Sequence, residues 1–162
     1  MAEQLATYFV ELFKNRIPEE LTIFIISLMP ILEIRGGMIA AKFLGVNFIK
    51  AFLICYLGNM VPIPFILLFI RKIFQFLRRF KCMNKLVDKL EAKGEKNKEK
   101  VLRYKEWGLL LFVAIPLPGT GGWTGALIAA MLDLRMKKAL PIIALGVFVA
   151  GLIMSLLTYG IF

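Results

Sequence analysis

The sequence predicts an all-α integral membrane protein built as an inverted repeat of a re-entrant helical hairpin plus a transmembrane helix. An N-terminal amphipathic helix and a basic cytoplasmic helical loop complete it. Three observations lead there. Apolar residues make up 59% of the 162-residue chain and the mean hydropathy is +0.76, against roughly 45–50% apolar in an ordinary soluble domain. The excess lies in four blocks too long to hide in so small a core, and two of the four are interrupted at their centres by Pro and Gly. Finally, sliding the sequence by 88 residues superposes Pro30 on Pro118, Gly37 on Gly125, Ala41 on Ala129, Leu44 on Leu132, Lys50 on Lys138, Ala51 on Ala139, Gly58 on Gly146 and Val61 on Val149 without a gap. One unit looks to be used twice, although Gly, Ala and Leu-rich stretches also match by chance.

Several function classes are excluded at once. With no His and only two cysteines, Cys55 and Cys82, neither a zinc cluster, nor a disulfide framework, nor a His-dependent catalytic triad can be assembled. No metal, no cofactor and no enzymatic activity is expected. The net charge of +10 is local: residues 71–106 hold 13 of the 21 Lys and Arg and 5 of the 11 acids. That concentration beside apolar blocks is the pattern of a cytoplasmic loop drawn to anionic headgroups, so membrane lipids, not nucleic acid, are the expected partners.

In chain order, a single membrane domain spans 1–162. Residues 1–18 form an interfacial helix: Leu5, Tyr8, Phe9, Leu12 and Phe13 recur at helical spacing, and Pro18 ends the run. The start, Met1-Ala2-Glu3, lacks the basic opening of a signal peptide, so it is expected to stay on the mature protein. The first repeat covers 20–70 and the second 107–162. Each has an interrupted block, 21–44 or 108–132, followed by a more continuous one, 47–70 or 139–161. At about 1.5 Å per residue each block could cross a ~30 Å hydrocarbon layer.

The interruptions are Pro30 through Gly37 and Pro116 through Gly122. Pro removes an amide donor and Gly costs a helix about 1 kcal/mol, so each centre is expected to open into a tip joining two half-helices. Broken backbone at membrane depth survives only inside protein or beside water, and the expected form is a hairpin leaving on the side it entered. Arg135, Lys137 and Lys138 then lie inside with the 71–106 loop, as the positive-inside tendency prefers, and both termini lie outside. Four plain spans would put those three cations outside. Within the loop Ile73, Phe76, Phe80, Met83, Val87 and Leu90 alternate at spacings of three and four, fitting either a short coiled coil or a helix on the inner leaflet. A turn near Lys93-Gly94 and a short helix through Val101, Leu102 and Tyr104 are expected to return the chain to Trp107.

Glu33 and Arg35 are the charges deep inside an apolar block. An intramembrane ion is expensive and is by default a functional hypothesis. In an extended tip the two would project to one side, either converging on a substrate or forming a structural ion pair. Gly36 and Gly37, then Gly119, Gly121 and Gly122, are expected to leave amide donors at the starts of the second half-helices, attractive to anions; their other reading is close packing of the tips. Thr120 and Thr124 offer hydroxyls and Trp123 an aromatic wall. Pro116 and Pro118 shape the tip, while Asn59 beside Gly58 and before Pro62 holds either neighbouring backbone or substrate. No Lys-Ser/Thr follows the glycines, so this is not a Walker loop. The letters Leu117-Pro118-Gly119-Thr120-Gly121 match a sortase signal only in spelling, since no basic tail ends the chain.

Glu33-Ile34-Arg35-Gly36-Gly37, Gly58-Asn59 with Pro62, and Pro116-Leu117-Pro118-Gly119-Thr120-Gly121 together resemble the small multidrug export protein family, related to the DedA (VTT-domain) superfamily, over about residues 20–160. The resemblance implies two re-entrant hairpins around a central site and an activity in transport or lipid translocation. With the residue reading above, the expectation is a plasma-membrane transporter of a small or lipidic anion, coupled to H+ or Na+; two spans and two hairpins are too few to surround both tips, so at least a homodimer is expected. Its rivals are a translocase for polyprenyl phosphate or phospholipid, as in DedA relatives, and a non-transporting scaffold.

Overall fold

Pro and Gly cut the apolar blocks into helices, some too short to cross a membrane. The computed structural model describes residues 2–13, 16–77, 88, 92, 107–117, 119–132 and 134–160, and among them every regular element is an α-helix. These are α1 (Ala2–Phe13), α2 (Glu19–Leu28), α3 (Glu33–Phe43), α4 (Phe48–Met60) and α5 (Pro62–Leu77). After them come α6, helical over 107–114, α7 (Gly122–Met131) and α8 (Met136–Tyr159). Helices α2, α3 and α7 have 10, 11 and 10 residues, about 15 Å each and half a hydrocarbon layer. By contrast, Phe48–Ile70 and Met136–Tyr159, of 23 and 24 residues, are long and apolar enough to cross it.

Local chemistry sets the boundaries. Pro18 precedes α2, whose first turn carries Glu19 and Glu20, suited to a helix N-terminus. The chain leaves α3 through Gly45 at φ 71°, a left-handed turn that glycine tolerates. Asn47 then caps α4, its side chain accepting from the Ile49 amide at 3.0 Å. Pro62, which cannot donate to the preceding turn, separates α4 from α5, yet Val61 keeps helical angles and the apolar segment continues.

The first gap is shorter than the sequence predicts. Only residues 29–32 leave the helix, and Glu33, Arg35, Gly36 and Gly37 form the opening of α3. The expected extended tip at 33–37 is therefore corrected to helix, and the Gly36 amide is not free for an anion, since it donates to Leu32 O at 2.8 Å. Packing overrides the glycine penalty. A Cβ on Gly37 would overlap the Ser27 hydroxyl and meet Cys55 Sγ, and one on Gly36 would strike Leu32.

The same elements recur at an offset of 88. Helices α2 and α3, a gap between them, and then α4 are followed by α6, a gap, α7 and α8 in the same register. Details recur with them. Val46 N–H donates to Ala41 O and Leu134 N–H to Ala129 O, both at 3.0 Å. Gly58 lets α4 approach the Phe24 carbonyl of α2, while Gly146 lets α8 approach the Leu110 carbonyl of α6. Tyr56 donates its hydroxyl to Ala144 O at 3.3 Å, a contact between two positions themselves 88 apart.

Helix α3 lies at the centre, against α1, α2, α4 and α8, and buries Ile34, Met38 and Ala41 in the main core with Val147 and Ala150 of α8. On α1, Ala6 and Val10 pack inward with Ile26 and Ala40, while Tyr8 and Leu12 of the predicted apolar face point outward. The exterior of the long helices is apolar: Leu53, Leu57, Phe65 and Leu68 on one, and Leu145, Leu152 and Leu157 on the other, are exposed, a surface that water would penalise and lipid would not. Ile73 and Phe76 fall on α5. The rest of the seam at Phe80, Met83, Val87 and Leu90, and the turn and helix expected over 93–106, lie outside the described residues.

Candidate functional site

The two gaps meet. The segment 115–121 before α7 needs unusual backbone: Gly119 has φ 88° and Gly121 φ 122°, angles at which L side chains are strained. Thr120 ties this loop, its Oγ1 lying 2.6 Å from Ile115 O and 2.8 Å from Leu117 O and accepting from the Leu117 amide at 3.1 Å. Its hydroxyl is thus committed to its own tip.

Arg35 crosses from α3 to that loop. Nη1 donates to Leu117 O, and Nη2 to Thr120 O at 3.0 Å. The planar fork of a guanidinium suits two acceptors at once. Glu33 crosses in the same direction. Its side chain is 2% exposed and Oε1 accepts from the Trp123 amide, in the first turn of α7, at 3.4 Å. A carboxylate there is favoured by the unpaired amides and dipole of the helix. Gly121 makes room for it, because a Cβ at that position would fall on the carboxylate. The backbone of Glu33 has φ 51°, a strained angle for a non-glycine residue that this contact offsets. Glu33 Oε2 and Arg35 Nη2 are 4.0 Å apart, so the two ions are only loosely paired with one another while both reach the opposite tip.

A cavity of about 10 Å³ lies at the junction. Glu33, Arg35, Asn59, Pro116, Gly121 and Gly122 line it, and Ile34, Val113, Val147 and Ala150 close it. Asn59 is fully buried, and neither its Oδ1 nor its Nδ2 has a partner. It does not hold neighbouring backbone. The Trp123 indole Nε1 is also buried without a partner.

Of the residues singled out from sequence, Glu33, Arg35, Asn59, Pro116, Gly121 and Gly122 converge on the cavity, with Trp123 beside it. Gly119 and Thr120 shape the loop, Gly36 and Gly37 serve helix packing, and Pro118 lies outside the described residues. Sequence reading missed Val113, Val147 and Ala150, apolar residues on apolar helices that carry no signal. Residues 33–153 match the family described as Putative small multi-drug export protein. No curated protein and no solved structure matches the chain.

Proposed function

The chain belongs to the small multi-drug export protein family, and from that premise we propose that this helical membrane protein exports a small or lipidic anion by coupling it to H+ or Na+, with the two tips as the midplane site. One observation carries the reading: Glu33 lies at the N-terminus of α7 while Arg35 clasps the Leu117 and Thr120 carbonyls. The carboxylate occupies the place that a substrate anion would take, and the guanidinium is held by neutral carbonyls, whereas an anion would offer the same donors two acceptors and a full opposite charge besides. With a cavity of about 10 Å³, this is the closed state. An anion that engages Arg35, or a cation that neutralises Glu33, unlocks the tips.

The half-length helices support re-entrant hairpins, and the contacts between equivalent positions support an inverted repeat. A translation keeps equivalent residues apart, whereas a two-fold brings those near its axis together, as Tyr56 meets Ala144 and Glu33 meets Gly121. Such repeats with a midplane site characterise many secondary transporters. The excess of Lys and Arg in the 71–106 loop supports reading it as the cytoplasmic side of a plasma-membrane protein. The tips also expose Ile31 and Leu117, and backbone near them would be costly against hydrocarbon, so at least a homodimer is proposed, its second copy covering what one chain leaves open.

The test is purified protein in liposomes, with carboxylates, phosphate esters and lipid phosphates offered under a proton or a sodium gradient. Gradient-driven flux of a soluble anion is expected. Movement of lipid phosphate alone would make the protein a translocase of the DedA type, and movement of neither would leave a membrane scaffold.

A further inference from the structure

Asn59 lines the tip cavity, and the closed lock makes no use of its side-chain amide. Its amide is fully buried and unpartnered on both atoms, at the wall of the tip cavity. Leaving a buried polar group unsatisfied costs about 1–3 kcal/mol, so an occupant that satisfies it has a clear energetic reason to bind. The cavity limits what that occupant can be. Its volume, about 10 Å³, leaves room for roughly one water molecule. Glu33 supplies an acceptor on one side, Asn59 both an acceptor and donors on another, and Ile34, Val113, Pro116, Val147 and Ala150 make the remainder largely apolar. A water needs two to four polar partners, which this wall offers. A hard cation stripped of its water needs a cage of oxygens, which this wall does not.

We propose that Asn59 binds one water molecule in the tip cavity, hydrogen-bonded toward Glu33, and that this water delivers the coupling proton, so the tip site takes H+ and not Na+. The proton passes from the water to a Glu33 carboxylate oxygen while the water regains one from the open side, leaving its own composition unchanged. Arg35 is the other charged group on the cavity wall, and the wall residues from α4, α6, α7 and α8 carry no titratable side chain. The coupling role rests on the export reading above; the water site and its proton selectivity do not.

Trp123 offers a readout that needs no substrate. Its amide donates to Glu33, and the chain's other tryptophan, Trp107, is exposed. In a Trp107→Phe background in nanodiscs, Trp123 emission is followed against pH in sodium and in choline buffer. The expected result is a single titration that is absent in Glu33→Gln and identical in the two buffers. Asn59→Leu, which removes the water's ligand and dehydrates the carboxylate, raises the midpoint by about one pH unit, a tenfold change in proton affinity. Asn59→Ser, which keeps a hydroxyl for the water, leaves the midpoint near wild type and remains testable if the leucine variant does not fold. Emission flat with pH, a response to sodium that depends on Glu33, or a midpoint unmoved in Asn59→Leu or displaced in Asn59→Ser as far as expected for leucine would overturn the proposal. A protein that titrates as described but moves no anion keeps this inference and loses the export reading.

Discussion

Glu33 and Gly121, 88 residues apart and equivalent in the two halves of the chain, touch: the carboxylate of one occupies the space where the other would carry a Cβ. Gly121 also has φ 122°, so this position is specified both by its backbone and by its neighbour. Gly121→Ala is therefore expected to lower stability by about 1–3 kcal/mol from backbone strain alone, and further by displacing Glu33. Thermal unfolding of the single variants and of Glu33→Ala/Gly121→Ala measures the coupling. The double variant should lose less than the sum of the singles, because removing the carboxylate relieves the clash but not the strain.

The approach of α2 to α4 gives a second expectation. A Cβ at Gly58 would lie 2.8 Å from the Phe24 carbonyl oxygen and 3.1 Å from Ser27 Cβ, and a backbone carbonyl cannot swing aside. Gly58→Ala should cost about 1–3 kcal/mol by overpacking and, by moving Asn59, impair export. Gly45→Ala meets nothing within 4 Å and carries only the strain of φ 71°, so it should lower thermal stability while leaving flux unchanged.

At the far end of α2 from the tip, Lys50 donates to Glu20 at 2.6 Å. That hydrogen bond, with a backbone hydrogen bond and then the lysine charge, holds the Glu20 carboxyl below its ordinary 4.5. A carboxyl depressed in the folded state stabilises above its unfolded value, and the contribution is lost as pH falls through the folded one. Both partners are exposed, so the effect is small and screened by salt. Lys50→Gln should be slightly less stable than wild type at neutral pH and low salt, and the difference should vanish at pH values well below 4.5 or at high salt, as read by thermal unfolding.

Topology supplies a fourth expectation. With re-entrant hairpins, Met136 at the start of α8 faces the cytoplasm on the same side as the basic loop. A cysteine placed there should react with an impermeant reagent only after the inner face is opened. Labelling from the outside alone would restore four plain spans.

The positions of the interruptions were legible in the sequence because Pro and Gly act locally. Pro30 and the run Pro116 to Gly122 mark the two gaps, and Pro62 marks the α4–α5 break. The 88-residue offset, seen in eight identities, reappears in the helix order and in paired hydrogen bonds. What failed locally was the extent of the first gap. Gly36 and Gly37 suggest broken helix by propensity, but their missing side chains admit Leu32, Ser27 and Cys55, and that packing keeps α3 helical. In the candidate site, Glu33 and Arg35 stood out as charges in an apolar block. Their partners did not, because Arg35 finds backbone carbonyls more than 80 residues away, and a carbonyl is common to every residue type. That Asn59 would be left without a partner follows only from the assembled tips.

The central claim is that Arg35 selects the exported anion, and the most direct measurement is flux of that anion by Arg35→Gln and Arg35→Lys in proteoliposomes beside wild type. Hydrogen bonds to a charged group are worth about 1.5–3 kcal/mol, so the glutamine variant should lose at least about tenfold in rate while keeping its expression and oligomer size. Lysine, which keeps the charge but lacks the planar fork, should recover part of it. A folded Arg35→Gln protein that transports at the wild-type rate would reduce the contacts with Leu117 and Thr120 to a structural clasp and contradict the account.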